Sequence, residues 1–497
     1  MWVPKASHRR EQPNVALAAC PAIACEGCPQ PEQQAAASAR THKDQRPETK
    51  RPETKTKDET TKDQTTKDQM KKKQISFNPP RGMRDFYPED MQVRNPIFMA
   101  WATAARLSGF DEYDACVVEN LDLLKRKAGE EIVDQIYHFK DKSDRDLALR
   151  PEMTPTLARM VASKQGSLSM PLKWFTIAQC FRYERTTRGR KREHYQWNLD
   201  IIGEDTIAAE VEIIATAVNA MKQLKLTEDH YRIRFSSRAL LADLLLSLGI
   251  DSSHHAATFL ALDKCGKISD EQIRQLLTDE GVPADAIPLV FKLLEVSSLE
   301  QAREMLGKDS EAYQDVQQFL TMLDAYGITD IMQFDISIIR GLSYYTGIVF
   351  EAFDINEKFR AIFGGGRYDN LMGDIGGKPA TGVGLGFGDV VVAELIKELG
   401  LIADTDNFSS DIIVGYMQEE QHKTALQITA ALRRNEKKVD ISLQAEKPKK
   451  FFTKAGKCSA SQAIYIGPDD IENGTIRIKN LTDRSEEKAE IAKILKG

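Results

Sequence analysis

Between Trp174 and Ile202 the chain alternates strictly between apolar and polar side chains, in two runs joined by a very basic, glycine-containing segment. In the first run Phe175, Ile177, Phe181 and Tyr183 oppose Thr176, Cys180, Arg182 and Glu184. In the return run Tyr195, Trp197, Leu199 and Ile201 oppose His194, Gln196, Asn198 and Asp200. A period of two places each set on one face of a strand, so the segment predicts a long antiparallel hairpin, apolar behind and polar in front. Arg185, Arg188, Arg190, Lys191 and Arg192 crowd its tip. A half-exposed sheet also alternates, with its polar face simply in solvent. This face, however, mixes an arginine, two carboxylates, a Gln and an Asn, the groups that the floor of a pocket for a polar ligand requires. The basic tip suits a polyphosphate or a nucleic-acid backbone.

Elsewhere the pattern predicts a helix through Arg94 to Leu107 and strand-like pieces from Phe110 to Val118. From about 236 to 330 the texture is helical, as in RALLADLLLSLG and VFKLLEVSSLEQAREML. Ile348, Val349 and Phe350 read as a buried strand, with Tyr344 and Tyr345 where it begins. Gly364, Gly365 and Gly366 follow, either as a glycine-rich hairpin turn or as a place where something approaches the backbone. Arg340, opening the apolar strand region, needs an anionic partner. After about residue 405, DIIVGYM, QHKTALQITAALRRNEKKV, QAIYIG and TIRIKNL alternate strand and helix, an independent α/β unit of roughly 90 residues.

The length of 497 residues gives about three domains as a prior. Residues 1–74 are low-complexity and charged, as in RPETKRPETKTKDETTKDQ, and predict a disordered extension that cannot bury a core. Within it VALAAC resembles the end of a lipoprotein signal, but the apolar stretch is too short; a transit peptide, an upstream extension or a misplaced start codon remain as accounts. A net charge of −6 excludes a protein that coats nucleic acid indiscriminately, so any such contact comes from local patches. No apolar run approaches the roughly 18 residues of a membrane helix, which predicts a soluble protein without a membrane partner. Seven cysteines are present, and Cys116, Cys180, Cys265 and Cys458 are widely scattered, which suits a reducing cytoplasm. Cys20, Cys25 and Cys28 cluster, but no second ligand group follows at zinc-like spacing, and no metal site is expected there.

Two nucleotide motifs are absent. GDIGGKP lacks the spacing and the Ser/Thr of a phosphate-binding P-loop, and GVGLGFG lacks both the GxGxxG spacing and a following acidic ribose anchor. If the chain binds ATP, it does so on an antiparallel sheet.

Several strings, taken together, resemble the histidyl-tRNA synthetases, a class II aminoacyl-tRNA synthetase family. Phe181-Arg182-Tyr183-Glu184 matches the F-R-x-E core of class II motif 2, and RGLSYYTG and GGGRYD match the two histidine-specific signatures. PPRGMRDFYPED and LRPEMTPTLAR are similarly family-like, and the resemblance spans about residues 77 to 490. It implies an α/β (α+β) fold: an antiparallel class II sheet flanked by helices, a helical insertion and a C-terminal α/β anticodon-binding domain. On that reading 75–235 is the first part of the catalytic domain, 236–330 the insertion, 331–402 the second catalytic part and 405–497 the anticodon-binding domain.

The resemblance also implies the chemistry. Histidine and ATP would give histidyl-adenylate and pyrophosphate, and the tRNA 3′ end would then take the histidyl group. An anionic nucleophile meets an anionic electrophile in the first step, so fixed cations, with Mg2+, must gather at the α-phosphate. Arg182 and Arg340 match those catalytic arginines; Arg182, Glu184, Arg190 and Arg340 make up the ATP site. Gln196, Asp200, Tyr344, Tyr345 and Tyr368 match the positions around the histidine ring, and Glu152 and Thr154 those expected at its α-amino group. A pocket of paired hydrogen bonds rejects analogues lacking them by roughly 10⁴-fold. Each tyrosine could instead be a core aromatic. In the terminal domain EKPKKFFTKAGK sets Lys447, Lys449, Lys450, Lys454 and Lys457 beside Phe451 and Phe452, which suits stacked single-stranded RNA and equally a solvated basic face. A homodimer in the cytoplasm follows from the family pattern.

Three positions depart from that pattern. Ser343 stands where an acidic residue is usual, and Cys116 where motif 1 ends in a proline. Motif 3 usually ends in an arginine that grips the γ-phosphate, and this chain has Asp389, Val390 and Val391 there. Either another cation such as Arg190 or Arg188 compensates or adenylate formation is impaired, and a sub-branch of the family with a GDVV-type ending is the favoured explanation. The competing function is a synthetase-like, histidine-sensing regulatory subunit of histidine biosynthesis that charges no tRNA. Such a regulator has no need for the RNA-binding terminal domain, the RGLxYYT arginine or the basic hairpin tip, all of which are present. A non-catalytic RNA-binding or stress-sensing module is a third reading, favoured only by the motif 3 change.

Overall fold

In the computed structural model the alternating segment forms a hairpin at the heart of a large sheet. The residues described are 76–126, 133–265, 268–307, 310–339, 344–401, 410–458 and 460–496. The N-terminal extension, its three clustered cysteines, Arg340 and Ser343 lie outside them.

In chain order the strands before residue 400 are β1 (Asp111–Glu112), β2 (Val118–Asn120), β3 (His138–Lys140), β4 (Asp146–Leu149), β5 (Leu172–Phe181), β6 (Glu193–Ile202), β7 (Tyr231–Ser237), β8 (Met332–Phe334), β9 (Ile348–Asp354), β10 (Phe363–Arg367) and β11 (Gly382–Gly388). The order β1-β5-β6-β11-β10-β9-β7-β8 makes an eight-stranded sheet, while β2, β4 and β3 form a separate small one. The large sheet is antiparallel except for the parallel pairs at its edges, β1 with β5 and β7 with β8.

The hairpin register sets Cys180 opposite His194, Ala178 opposite Gln196, Thr176 opposite Asn198 and Trp174 opposite Asp200. On the other face Trp197 stacks on Trp101 of the helix Pro88–Leu107, at 6.0 Å between ring centroids, and meets Phe387 at 6.1 Å. Helix Ala208–Gln223 covers the same face, and Val383, Leu385 and Phe387 of β11 complete that core. Fully burying such large aromatic side chains is among the strongest single contributions to this layer.

The β11 sequence GVGLGFG now has a physical explanation. Its apolar residues face the core, so Gly382, Gly384, Gly386 and Gly388 line the opposite face, beside Ile202, Asp200, Asn198 and Gln196. A Cβ at Gly384 would stand 2.3 Å from Asp200 Oδ1, and one at Gly386 2.7 Å from Gln196 Nε2. Glycine at every second position is the space in which the polar side chains of β6 lie. The GGG run is likewise no turn: it is the interior of β10, where a Cβ at Gly365 would meet the carbonyl of Gly384. The strand after Tyr344 and Tyr345 starts three residues beyond them, at Ile348.

Helices run through the segment between Arg238 and Ala325, several opened by serine caps: Ser237, Ser269, Ser298 and Ser310 each accept a backbone N–H from the first turn. Their Leu240, Leu244, Val316 and Phe319 join the core that contains Phe235 of β7. Beyond residue 410, β12 (Ile412–Tyr416), β13 (Val439–Ile441), β14 (Gln462–Ile466), β15 (Thr475–Asn480) and β16 (Glu486–Glu490) form a second sheet in the order β13-β12-β14-β15-β16. Helices His422–Arg434 and Pro448–Ala455 pack on it.

Candidate active site

A cleft of about 180 Å³ opens over the glycine face, lined by Arg182, Glu184, Arg190, Lys191, His194 and Gln196 from the hairpin, by Arg360 to Gly364, and by Gly386, Gly388, Val390 and Val391. The polar face of β6 is not solvent-facing: Asn198 and Asp200 are buried, with Thr176 beside them. Its side chains form a ladder. His194 Nε2 lies 3.4 Å from Gln196 Oε1, and Gln196 Nε2 donates to Asn198 Oδ1 over 3.1 Å. Burial, with the charge of Arg182 adding to it, lowers the His194 imidazole to about 3, so the ring is neutral.

Asp200 closes the ladder. Its Oδ1 accepts the Tyr368 hydroxyl over 2.6 Å, and its Oδ2 is buried without a partner. Burial pushes the carboxyl up to about 7, against the stabilising hydrogen bond from Tyr368. Tyr344, Tyr345 and Tyr368 pack in one cluster, with ring centroids 4.9 Å apart for the first pair and 6.1 Å for Tyr344 with Tyr368. A buried carboxyl oxygen without a partner, whose twin is bonded to a tyrosine of this cluster, can take a hydrogen bond from a donor placed beside it.

The cationic end is built from the hairpin tip. Arg182 Nε donates to the carbonyl of Pro151 over 2.9 Å, which fixes the side chain without neutralising it. Arg190 is paired with Glu184 at 2.6 Å. Arg188 is held by Glu394 and Glu398 and does not line the cleft. Glu152 is buried just before the helix Thr154–Lys164, and Thr154 is its first residue. Cys116 is exposed, its Sγ 3.8 Å from Glu119 Oε2.

Asp389, at the end of motif 3, is buried and spoken for. Arg84 from the opening segment lies between Glu193, at 2.5 Å, and Asp389, at 3.0 Å, and Asp389 also accepts the backbone N–H of Tyr195. Burial raises the Asp389 carboxyl, and Arg84 opposes that rise. Asp389 is therefore satisfied by its own local partners and supplies no cation to the cleft.

Three candidate positions escaped the sequence. Tyr113 packs beside Trp174 and the tyrosine cluster with its hydroxyl buried and unpartnered. Arg238 donates to the carbonyls of Ile339 and Tyr345, pinning both sides of the first histidine-specific signature. Arg360 lies in the cleft itself. The arginine directly following the strand YRIRFSS was a signal for the second; Tyr113 and Arg360 gave none. The arginine of GGGRYD, in contrast, is structural: Arg367 is bidentate to the buried Glu210.

Comparison with known proteins decides the family. Residues 82–389 match the family model for histidyl-tRNA synthetase, and residues 411–497 match that for an anticodon binding domain. The chain belongs to the histidyl-tRNA synthetase family. It is 42% identical over 410 residues to the histidine–tRNA ligase, chloroplastic/mitochondrial, of Arabidopsis thaliana, covering 82% of this chain and 84% of that protein. Against the histidine–tRNA ligase of Opitutus terrae it is 39% identical, covering 82% and 94%. The histidyl-tRNA synthetase structure from Nostoc superposes with a TM-score of 0.69 at 20% identity, covering 85% of this chain and 100% of that one, a likeness of fold.

In the domain that matches the anticodon-binding family, one expectation fails. Phe451 is fully buried, its ring 5.1 Å from that of Tyr465, and a Cβ on Gly415 would meet it at 2.4 Å. It is core, not a stacking platform; Phe452 is half-buried, with Lys479 Nζ 5.3 Å from its ring centre. Lys449 and Lys450 remain exposed.

Proposed function

We propose that this chain is a histidine–tRNA ligase, and that the observation carrying its specificity is Asp200 with one oxygen satisfied by Tyr368 and the other buried without a partner. Histidine's imidazole N–H is the donor that oxygen needs. Gln196 and the tyrosines Tyr344, Tyr345 and Tyr368 bound the ring, and Glu152 and Thr154 receive the α-amino group.

Arg182 stands where the histidine carboxylate meets the α-phosphate of ATP, and its guanidinium stabilises the charge that accumulates in the transition state. Arg340 is assigned to the same phosphate on the strength of its motif alone. Arg190 and Glu184 part when the outer phosphates compete for the arginine. Among the described residues no cluster of three or more His, Cys, Asp or Glu side chains could hold a metal. Magnesium, which bridges phosphates with few protein ligands, fits such a cleft with Glu184 as the carboxylate, and would supply charge neutralisation.

Transfer to tRNA employs the domain at residues 411–497, with its exposed lysines on the phosphates. A homodimer is supported by the apolar side chains left exposed on the helix Pro88–Leu107 and the small sheet: Met99, Leu107, Val118 and Phe139. No described helix is long and apolar enough to cross a membrane. The free cysteines Cys116, Cys180, Cys265 and Cys458 support a cytoplasmic location. The test of function is charging: purified protein with total tRNA, ATP and labelled histidine should produce acid-stable histidyl-tRNA. No charging with any tRNA pool would remove the ligase reading.

A further inference from the structure

ATP brings a triphosphate into a cleft lined by three arginines. Of these, Arg182 is held by the Pro151 carbonyl and assigned to the α-phosphate, while Arg190 and the arginines around the cleft are already occupied. Arg84 is paired with Glu193 and Asp389, Arg188 with Glu394 and Glu398, and Arg190 with Glu184. Arg192 gives its guanidinium to the carbonyls of Glu184 and Arg81 and covers the Tyr183 ring at 3.8 Å. Arg360 differs. It lines the cleft, is exposed, and no carboxylate among the described residues pairs with it.

Its position follows from the register. Phe363 of β10 is opposite Phe387 of β11. Arg360 precedes that pair by three residues and Val390 follows it by three, so the two stand at the same end of the sheet, and both line the cleft. This is the end at which motif 3 lacks its arginine. The loop carrying Arg360 is held on both sides. Asp354 accepts the N–H groups of Lys358 and Phe359 at 3.0 and 2.9 Å, and Ile362 N–H donates to the Ala352 carbonyl at 2.7 Å. Phe359 lies under the Arg188 guanidinium at 4.8 Å, and Lys358 is bound to Glu398. The neighbouring cations are therefore tied down, and the free guanidinium is presented from a fixed backbone, which reduces the ordering cost of binding.

We propose that Arg360 receives the terminal phosphate of ATP, supplying from the β9–β10 connection the cation that motif 3 does not provide. This rests on the ligase reading of the same cleft. The fork of an arginine matches phosphate oxygens in a bidentate way, which a lysine cannot reproduce. Lys191 lines the hairpin side, where Arg190 already stands. The phosphate that Arg360 would bind departs as pyrophosphate, so nothing it binds remains in the adenylate.

That last property sets the experiment. Histidine-dependent ATP–pyrophosphate exchange is measured for the wild type, Arg360→Ala and Arg360→Lys, together with binding of a non-hydrolysable sulfamoyl analogue of histidyl-adenylate. Arg360→Ala should raise the KM for ATP by about tenfold or more, leave the KM for histidine unchanged, and bind the adenylate analogue within about twofold of wild type. Arg360→Lys should recover part of the loss. An unchanged KM for ATP, or an equal loss of affinity for the analogue, would overturn the assignment, the second outcome pointing to a general disturbance of the loop or a contact with adenosine. Absence of exchange in the wild type would instead count against the ligase reading, and the two failures are thereby distinct.

Discussion

Tyr368 donates its hydroxyl to Asp200 Oδ1 over 2.6 Å, and Asp200 Oδ2, also buried, has no hydrogen-bond partner. Because burial holds the carboxyl at about 7, its charge is set by ordinary working pH. With Oδ1 held by Tyr368, Oδ2 accepts an imidazole N–H more strongly as a carboxylate than as the protonated acid, so the KM for histidine should fall as pH rises through about 7. Free imidazole also titrates near 6.5, so the informative quantity is the difference from Asp200→Asn, which lacks the protein's transition. If the two pH profiles run parallel, Asp200 is not the acceptor.

The same shift has a consequence for stability. The folded protein keeps the Asp200 proton up to about 7, whereas an unfolded chain releases it near 3.9. This group's contribution is present below about 4 and is lost as pH rises toward 7. Urea unfolding should therefore show Asp200→Asn gaining stability relative to wild type between pH 5 and pH 8. A constant difference would contradict the buried, protonated acid.

Tyr113 offers a second orphaned polar atom, packed against the same tyrosine cluster. Tyr113→Phe removes a hydroxyl that no protein group satisfies, so the free protein should lose no stability and could gain some. If that hydroxyl faces bound histidine, the KM for histidine should rise by about fivefold while the KM for ATP stays put. Equal kinetics in the two proteins would make Tyr113 a packing residue only.

Gly384→Ala places a methyl 2.3 Å from Asp200 Oδ1 and 3.0 Å from the Tyr368 ring. The strand tolerates alanine, but the Asp200–Tyr368 pair must move. The expected result is a folded protein whose affinity for histidine drops at least tenfold, with Gly386→Ala milder because the amide end of Gln196 can shift. Circular dichroism with histidine titration separates this from unfolding.

An arginine at the first of the three motif 3 positions should harm this chain. Asp389→Arg sets a second guanidinium against Arg84 and leaves the Tyr195 N–H without its acceptor. A loss of roughly 3 kcal/mol in unfolding free energy is expected. An Asp389→Arg protein as stable as wild type, with a lower KM for ATP, would show that Arg84 is no obstacle and would weaken the case for Arg360.

Much of this site could be read from the chain because a strand writes its faces into alternate letters. His194, Gln196, Asn198 and Asp200 were placed on one face by period two alone, and their register with Thr176 and Cys180 followed. The glycines of β11 carry the same period, but a missing side chain is read as a turn or a nucleotide loop until its neighbours are known. What period cannot reveal is contact across the fold. Arg84 meets Asp389 from 305 residues away, and Arg360 reaches the cleft only because β10 lies beside β11. Phe451 failed for a related reason: interleaved Lys and Phe describe an amphipathic helix with an apolar core face as well as an RNA platform.

The central claim is that this cleft activates histidine. ATP–pyrophosphate exchange with each of the twenty amino acids tests it directly. The account predicts exchange with histidine alone, strongly reduced by Asp200→Asn and by Arg182→Ala. No exchange with histidine, or comparable exchange with several amino acids, would contradict it.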